Sequence, residues 1–270
     1  MVLKDNFKKE GDFLFRYRSY LPLVVIPLFV LCLLSFPQNL LLPRIQMQEL
    51  FFLNVFVGTG AELNFVYNTP LVVCAIIVGL LGQFIRILVA GYVPRDTSGR
   101  NTKAQKAEVL NTTGMYSLCR NPLYLGNFLM MLSPVLLLGN WLFALCFTLA
   151  FWLYYERIIY AEESFLTQKF GDAYLRWAQN TPAFVPSFRN YTKSTLGFSM
   201  KSMLKREYHS LFGLAASLFL IHWIISAYVL WDFVIVFEPL ISALFVLSAV
   251  IYIVMLVLVK TTKIFEVEGR

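Results

Sequence analysis

From Asn121 to Tyr155 the chain carries no charged residue. One straight helix of that length would greatly exceed the roughly 30 Å hydrocarbon core of a bilayer. A soluble domain of this size would have nowhere to hide it. Gly139-Asn140 breaks the run near its middle, so it reads as a tight helical hairpin whose two short arms cross the membrane and return. Composition agrees: apolar residues make up 58% of the 270 residues and charged ones 14%, against about 45–50% and about 25% in soluble proteins.

Further apolar segments occupy Leu21–Phe36, Leu71–Tyr92, Leu211–Leu230 and Leu240–Val259. With the hairpin they make about six spans. The first is short and contains Pro22 and Pro27. It is not followed by a small-x-small cleavage site, so it reads as a span rather than a removed leader. Lys and Arg concentrate in residues 1–20, 93–122, 156–210 and 260–270, whereas residues 37–70 carry Arg44 alone and residues 231–239 none. The positive-inside rule then puts both termini in the cytoplasm and demands an even number of crossings between residues 122 and 156, which a hairpin supplies. The expected fold class is all-α integral membrane, with polar loops and a helix on the cytoplasmic side. Residues 1–270 form one membrane domain. Residues 70–190 are its core, and residues 196–270 add an interfacial helix, over Leu196–Arg206, and two more spans.

The net charge of +7 follows from this loop placement, so no nucleic-acid partner is expected. Cys32, Cys74, Cys119 and Cys146 show no metal or redox spacing, and no metal site is expected. There is no dinucleotide fingerprint, P-loop or paired-His motif. Chemistry must therefore come from Arg, Tyr, Asn and Glu on the cytoplasmic side. Two clusters supply them. One is Gly114-Met115-Tyr116-Ser117-Leu118-Cys119-Arg120-Asn121-Pro122-Leu123-Tyr124-Leu125-Gly126. The other is Arg157, Glu162-Glu163, Phe170-Gly171, Tyr174 and Pro182–Pro186. A hairpin returns its second end to its starting side, so the clusters should be neighbours. Adjacent glutamates do not share a helix face, so Glu162 and Glu163 should serve different partners, one of them basic; Arg120 is that partner or a phosphate contact.

These motifs resemble the isoprenylcysteine carboxyl methyltransferase and phospholipid methyltransferase superfamily. Its pattern is Gly-x-Tyr-x-x-x-Arg-His-Pro-x-Tyr-x-Gly, an apolar hairpin, Glu-Glu and Phe-Gly-x-x-Tyr. Asn121 stands where the pattern has His. Ser98–Lys103 and Glu108–Gly114 are similar to stretches in bacterial lipid A phosphate methyltransferases. The resemblance covers roughly residues 70–190. It implies S-adenosylmethionine as cofactor, contacted by Glu108, Val109, Leu110, Asn111, Tyr116, Asn121, Leu123, Tyr124, Glu162 and Glu163. The donor's ammonium and sulfonium call for a carboxylate and aromatic faces, which Glu162, Tyr116 and Tyr124 can provide. It implies a membrane lipid as substrate and, as location, a bacterial inner membrane.

In the carboxyl methyltransferases an Arg for the acceptor stands four residues before the cofactor Glu. That position is Ile158 here, with Arg157 one residue earlier. Arg157, Arg86 and Arg100 are therefore the candidates for positioning the acceptor, and Arg157, Arg120 and Arg86 those for assisting the reaction. The acceptor is expected to be an anionic oxygen of a lipid headgroup, with phosphate preferred. Such an oxygen attacks without a general base, whereas an ammonium acceptor must first lose a proton. Carboxyl methylation of isoprenylcysteine and N-methylation of phosphatidylethanolamine are the alternatives. A membrane reductase and a non-enzymatic membrane protein are the readings of another class.

Overall fold

The computed structural model describes residues 3–20, 27, 69–94, 107–230, 235 and 237–267. Apart from residue 27, the expected first span, Leu21–Phe36, and the stretch with Ser98–Lys103 lie outside these residues. What is described is helical: α1 Leu3–Tyr17, α2 Thr69–Tyr92, α3 Met115–Leu118, α4 Pro122–Leu136, α5 Trp141–Phe170, α6 Asp172–Asn180, α7 Met200–Leu230 and α8 Pro239–Thr261, with 3-10 turns at Arg18–Tyr20 and Phe188–Asn190. Four of them, α2, α5, α7 and α8, are long and apolar enough to span a membrane, and α4 is a shorter apolar helix.

The hairpin is present, and its turn is at Gly139-Asn140. The Asn140 side chain accepts from the Phe143 N–H at 3.0 Å and so caps the start of α5. The two arms are unequal, contrary to the expectation of two short ones. α4 has 15 residues and spans about 22 Å. α5 has 30 residues and spans about 45 Å, so it leaves the bilayer still helical. No Pro or Gly interrupts it between Trp141 and Phe170, and a change from apolar to polar side chains does not by itself end a helix. Gly171, with φ 52°, ends it and starts α6.

A second correction concerns residues 196–206. They do not form a separate interfacial helix. From Met200 the chain runs as one helix to Leu230, again because no breaker separates Lys201–Arg206 from the apolar stretch.

α2 and α4 are the most intimately packed pair. A Cβ placed on Gly82 would meet the Gly126 carbonyl oxygen at 2.5 Å, and one on Gly126 would meet the Arg86 Cγ at 2.7 Å. Small residues let the backbones approach where apolar lipid gives helices no reason to associate. Ser133 on α4 donates to the Ala75 carbonyl oxygen on α2 at 2.6 Å. One core cluster joins α2, the hairpin turn, α7 and α8 through Val72, Ala75, Leu137, Leu138, Leu218 and Ile241. A second joins α1, α4 and α5 through Phe15, Tyr124, Val135, Phe151, Tyr155 and Ile158. Large apolar side chains on the outward faces, among them Phe84, Leu149, Val246 and Ile253, are exposed, as a lipid-facing surface requires.

α1 was not anticipated as an element of the core. It lies along the polar end of α5. A Cβ on Gly11 would stand 2.1 Å from the Arg157 carbonyl oxygen, so the two backbones nearly touch there. Phe15 is buried, Phe7 meets the Tyr160 ring edge-on at 6.1 Å, and the Tyr154 hydroxyl donates to the Leu14 carbonyl oxygen at 3.3 Å.

Candidate functional site

The two sequence clusters are neighbours, and backbone hydrogen bonds join them. The Gly114 N–H donates to the Thr192 oxygen at 2.8 Å, the Ser187 N–H to the Leu118 oxygen at 2.9 Å and the Arg120 N–H to the Pro182 oxygen at 2.9 Å. The segments on either side of α3 and after α6 therefore run past each other in opposite directions. Ser117 fastens the far end: its hydroxyl donates to the Gly114 oxygen at 2.7 Å and accepts from the Thr192 N–H at 3.0 Å.

Within this frame Glu162 and Glu163 serve different partners. Glu163 forms an ion pair with Arg120 at 2.9 Å, and Arg120 also donates to the carbonyl oxygens of Ala178 at 2.7 Å and Thr181 at 3.2 Å. Arg120 therefore ties α5 to the end of α6. Tyr174 lies beside Glu163; burial and that carboxylate keep its phenol protonated well above the usual range. Glu162 accepts from the Tyr124 hydroxyl at 2.9 Å. The same carboxylate oxygen lies 3.5 Å from a guanidinium nitrogen of Arg18, which donates to the Tyr124 hydroxyl oxygen at 3.1 Å. Tyr155 packs against Tyr124 with ring centroids 4.7 Å apart. Tyr116 is half-buried; burial first, and then the charge of Glu162, push its phenol well above the ordinary value. Burial pushes the Cys119 thiol up to about 11, which removes it as a nucleophile.

The remaining sequence candidates are placed as follows. Asn121 donates to the Ala183 carbonyl oxygen at 2.9 Å and holds the turn after α6. Leu123 is half-buried at the start of α4, Glu108 and Val109 are exposed on the loop leading to α3, and Leu110 and Asn111 are half-buried on it. Arg86 is engaged inside the membrane domain. It donates to Glu207 at 2.9 Å, to the Ser210 hydroxyl at 2.9 Å and to the Asn127 side-chain oxygen. Gln83 joins the same carboxylate at 3.3 Å. Arg157 points away from Glu162, toward Glu10 at 2.8 Å and over the Phe7 ring at 4.9 Å. The position one turn before Glu162, Ile158, is fully buried. Arg100 lies outside the described residues.

Arg18 is the site residue that sequence reasoning missed. Its side chain is 10% exposed and its guanidinium sits 4.0 Å above the Phe15 ring. A signal existed. Phe7, Gly11 and Phe15 recur at four-residue spacing, which puts an apolar stripe with a small residue at its middle on one helix face. Arg18, three residues after Phe15, continues that face.

Residues 72–173 match the phospholipid methyltransferase family. Among curated proteins, the chain is 35% identical over 85 residues to the protein-S-isoprenylcysteine O-methyltransferase of Schizosaccharomyces pombe, covering 32% of this chain and 36% of that protein. It is 31% identical over 147 residues to that of Tribolium castaneum, covering 52% and 49%. It is 34% identical over 113 residues to the cobalt-zinc-cadmium resistance protein CzcN of Cupriavidus metallidurans, covering 42% and 50%. The chain thus spans about half or less of the length of these relatives. No solved structure matches it. The matched residues include Tyr116, Tyr124 and Glu162 and leave out Arg18.

Proposed function

We propose, on the premise that residues 72–173 form a phospholipid methyltransferase domain, that this membrane protein transfers a methyl group from S-adenosylmethionine to an anionic oxygen on a membrane-embedded amphiphile. The observation that carries the reading is the Glu162–Tyr124 pair, a carboxylate and a phenol 2.9 Å apart within an aromatic wall. These residues fit the donor. Glu162 would hold the ammonium by charge-assisted hydrogen bonds, and Tyr116, Tyr124 and Tyr155 would supply aromatic rings to the sulfonium, each such contact contributing about 0.5–2 kcal/mol. The donor, when bound, supplies a methyl carbon already activated by its positive sulfur. The protein's own task is then to align the acceptor and to keep water out. Asn121, Arg120 and Glu163 fix the turn after α6 that bounds the site.

The names of the two isoprenylcysteine O-methyltransferases favour an O-methyl acceptor. Between a prenylated cysteine carboxylate and a lipid phosphate, both are anions at neutral pH and need the same treatment. The site faces the cytoplasm on the charge argument above. Glu108–Asn111 and Leu123 stand as further donor contacts, and Arg100 as a further acceptor contact.

The test is titration of the purified full chain with S-adenosylhomocysteine and with NADPH. Stabilisation by the first alone is expected. Stabilisation by NADPH alone selects a membrane reductase instead, and stabilisation by neither removes the proposal.

A further inference from the structure

We infer that Arg18, delivered by the N-terminal helix α1 from outside the matched domain, binds the anionic group of the methyl acceptor and so determines the acceptor class; this rests on the donor site proposed at Glu162. Four observations carry it. First, Arg18 reaches both members of the Glu162–Tyr124 pair, at 3.5 and 3.1 Å, so its guanidinium borders the residues proposed to hold the donor. Second, it is held there. Phe15 supports the guanidinium from one face, and α1 is pinned to α5 by the Gly11–Arg157 backbone approach, the buried Phe15 and the Glu10–Arg157 ion pair. Third, three other arginines at this end have their carboxylate partners away from Glu162: Arg120 pairs with Glu163, Arg86 with Glu207 and Arg157 with Glu10, while Arg206 donates to the Pro94 carbonyl oxygen. Fourth, the face of α5 one turn before Glu162 presents Ile158, which is fully buried and offers no charge.

A guanidinium suits this task better than an ammonium. Its planar fork presents two parallel N–H groups to the two oxygens of a carboxylate or phosphate. The acceptor oxygen forms its new bond to the methyl carbon as the carbon–sulfur bond of the sulfonium breaks. The sulfur keeps that electron pair and becomes a neutral thioether. The oxygen's negative charge and the sulfur's positive charge cancel together, and no proton or further reactant is required. Holding the anion through Arg18 leaves its attacking oxygen directed at the methyl.

The experiment compares the full-length protein with Arg18→Gln and Arg18→Lys, each checked for folding by gel filtration in detergent. Calorimetry measures S-adenosylhomocysteine affinity. A second titration, at saturating S-adenosylhomocysteine and without turnover, measures binding of N-acetyl-S-farnesylcysteine and, separately, of vesicles containing phosphatidic acid. Initial rates with labelled donor give kcat and KM for each. Arg18→Gln, which also removes the neighbour of Glu162, is compared at saturating S-adenosylhomocysteine, whatever its affinity for that ligand. It should lose about 10- to 100-fold in affinity for whichever acceptor the wild type binds, as expected from losing a charge-assisted hydrogen bond. KM should rise accordingly, and Arg18→Lys should recover part of the loss. The acceptor that responds identifies the anion as carboxylate or phosphate. Unchanged acceptor affinity in Arg18→Gln overturns the inference. So does loss of S-adenosylhomocysteine binding with acceptor affinity intact, which would make Arg18 a donor residue. If Arg18→Gln does not fold, Arg18→Lys decides: an unchanged KM counts against the inference and a raised KM supports it. Wild-type protein that fails to bind S-adenosylhomocysteine removes the donor site itself, and the inference with it. Transfer to phosphatidylethanolamine alone also overturns it, because the methylated nitrogen is then not part of the anion that Arg18 holds.

Discussion

Glu162 and Glu163 are adjacent in sequence and face different tasks, and the helix is the reason. One residue turns an α-helix by about 100°, so one carboxylate meets Tyr124 on α4 while the next meets Arg120 at the far side of the turn. The division was legible from the sequence because both partners lie in the motif at residues 114–126. Arg18 was not legible in the same way. It is 106 residues from Tyr124 and 144 from Glu162, and its charge had an ordinary explanation in membrane orientation. The pairing of Arg86 was not legible for a related reason: its partner Glu207 is 121 residues away. At this scale the test is Glu162→Gln, which keeps the shape of the side chain and removes its charge. S-adenosylhomocysteine affinity should fall by about tenfold or more, the worth of one charge-assisted hydrogen bond, with the helical circular-dichroism signal retained. Calorimetry that finds the wild-type affinity would remove Glu162 from the donor site.

The elements follow the sequence wherever a breaker stands between them. The hairpin turn at Gly139-Asn140 and the stop at Gly171 were both readable. Helix ends at the membrane surface were not, because polarity changes there while backbone hydrogen bonding continues; α5 and α7 both run on. The docking of α1 depends on a single position. A side chain at Gly11 would run into the Arg157 carbonyl oxygen, which is backbone and cannot rotate aside. Gly11→Ala should therefore cost about 1–3 kcal/mol, the usual range for overpacking, by pushing α1 away from α5. Hydrogen exchange is the appropriate measurement. Residues 3–17 should exchange faster in the variant while residues 239–261 stay unchanged; equal exchange in α1 would mean that the close approach is not needed.

For the whole molecule, the charge pattern predicts which ends share a side. With native cysteines replaced by Ser, single cysteines at Arg189 and Trp141 should label with an impermeant maleimide from opposite faces, Arg189 from the cytoplasm. Labelling of both from one face would refute the hairpin as a membrane-crossing element. The C-terminal helices also proved to be more than an addition to the matched domain, since α7 brings Glu207 to Arg86. Removing either partner should destabilise the protein by about 3–5 kcal/mol, because the other is left as an uncompensated charge. Arg86→Leu with Glu207→Leu should cost less than the two singles summed, which thermal melts in detergent can measure.

That ion pair also sets a schedule for biogenesis. Arg86 leaves the ribosome 121 residues before Glu207. At about 5–20 residues per second, α2 waits roughly 6–24 s for its countercharge. Asn127, only 41 residues later, is the earlier partner and a neutral one. A chain halted before α7 thus holds an arginine in lipid with its counterion missing, a defect that quality-control proteases can sense. A truncation ending at residue 199 should be degraded faster in pulse-chase than the full chain. Arg86→Leu should lengthen the life of the truncation while shortening that of the full chain, so that one substitution acts with opposite sign before and after translation is complete.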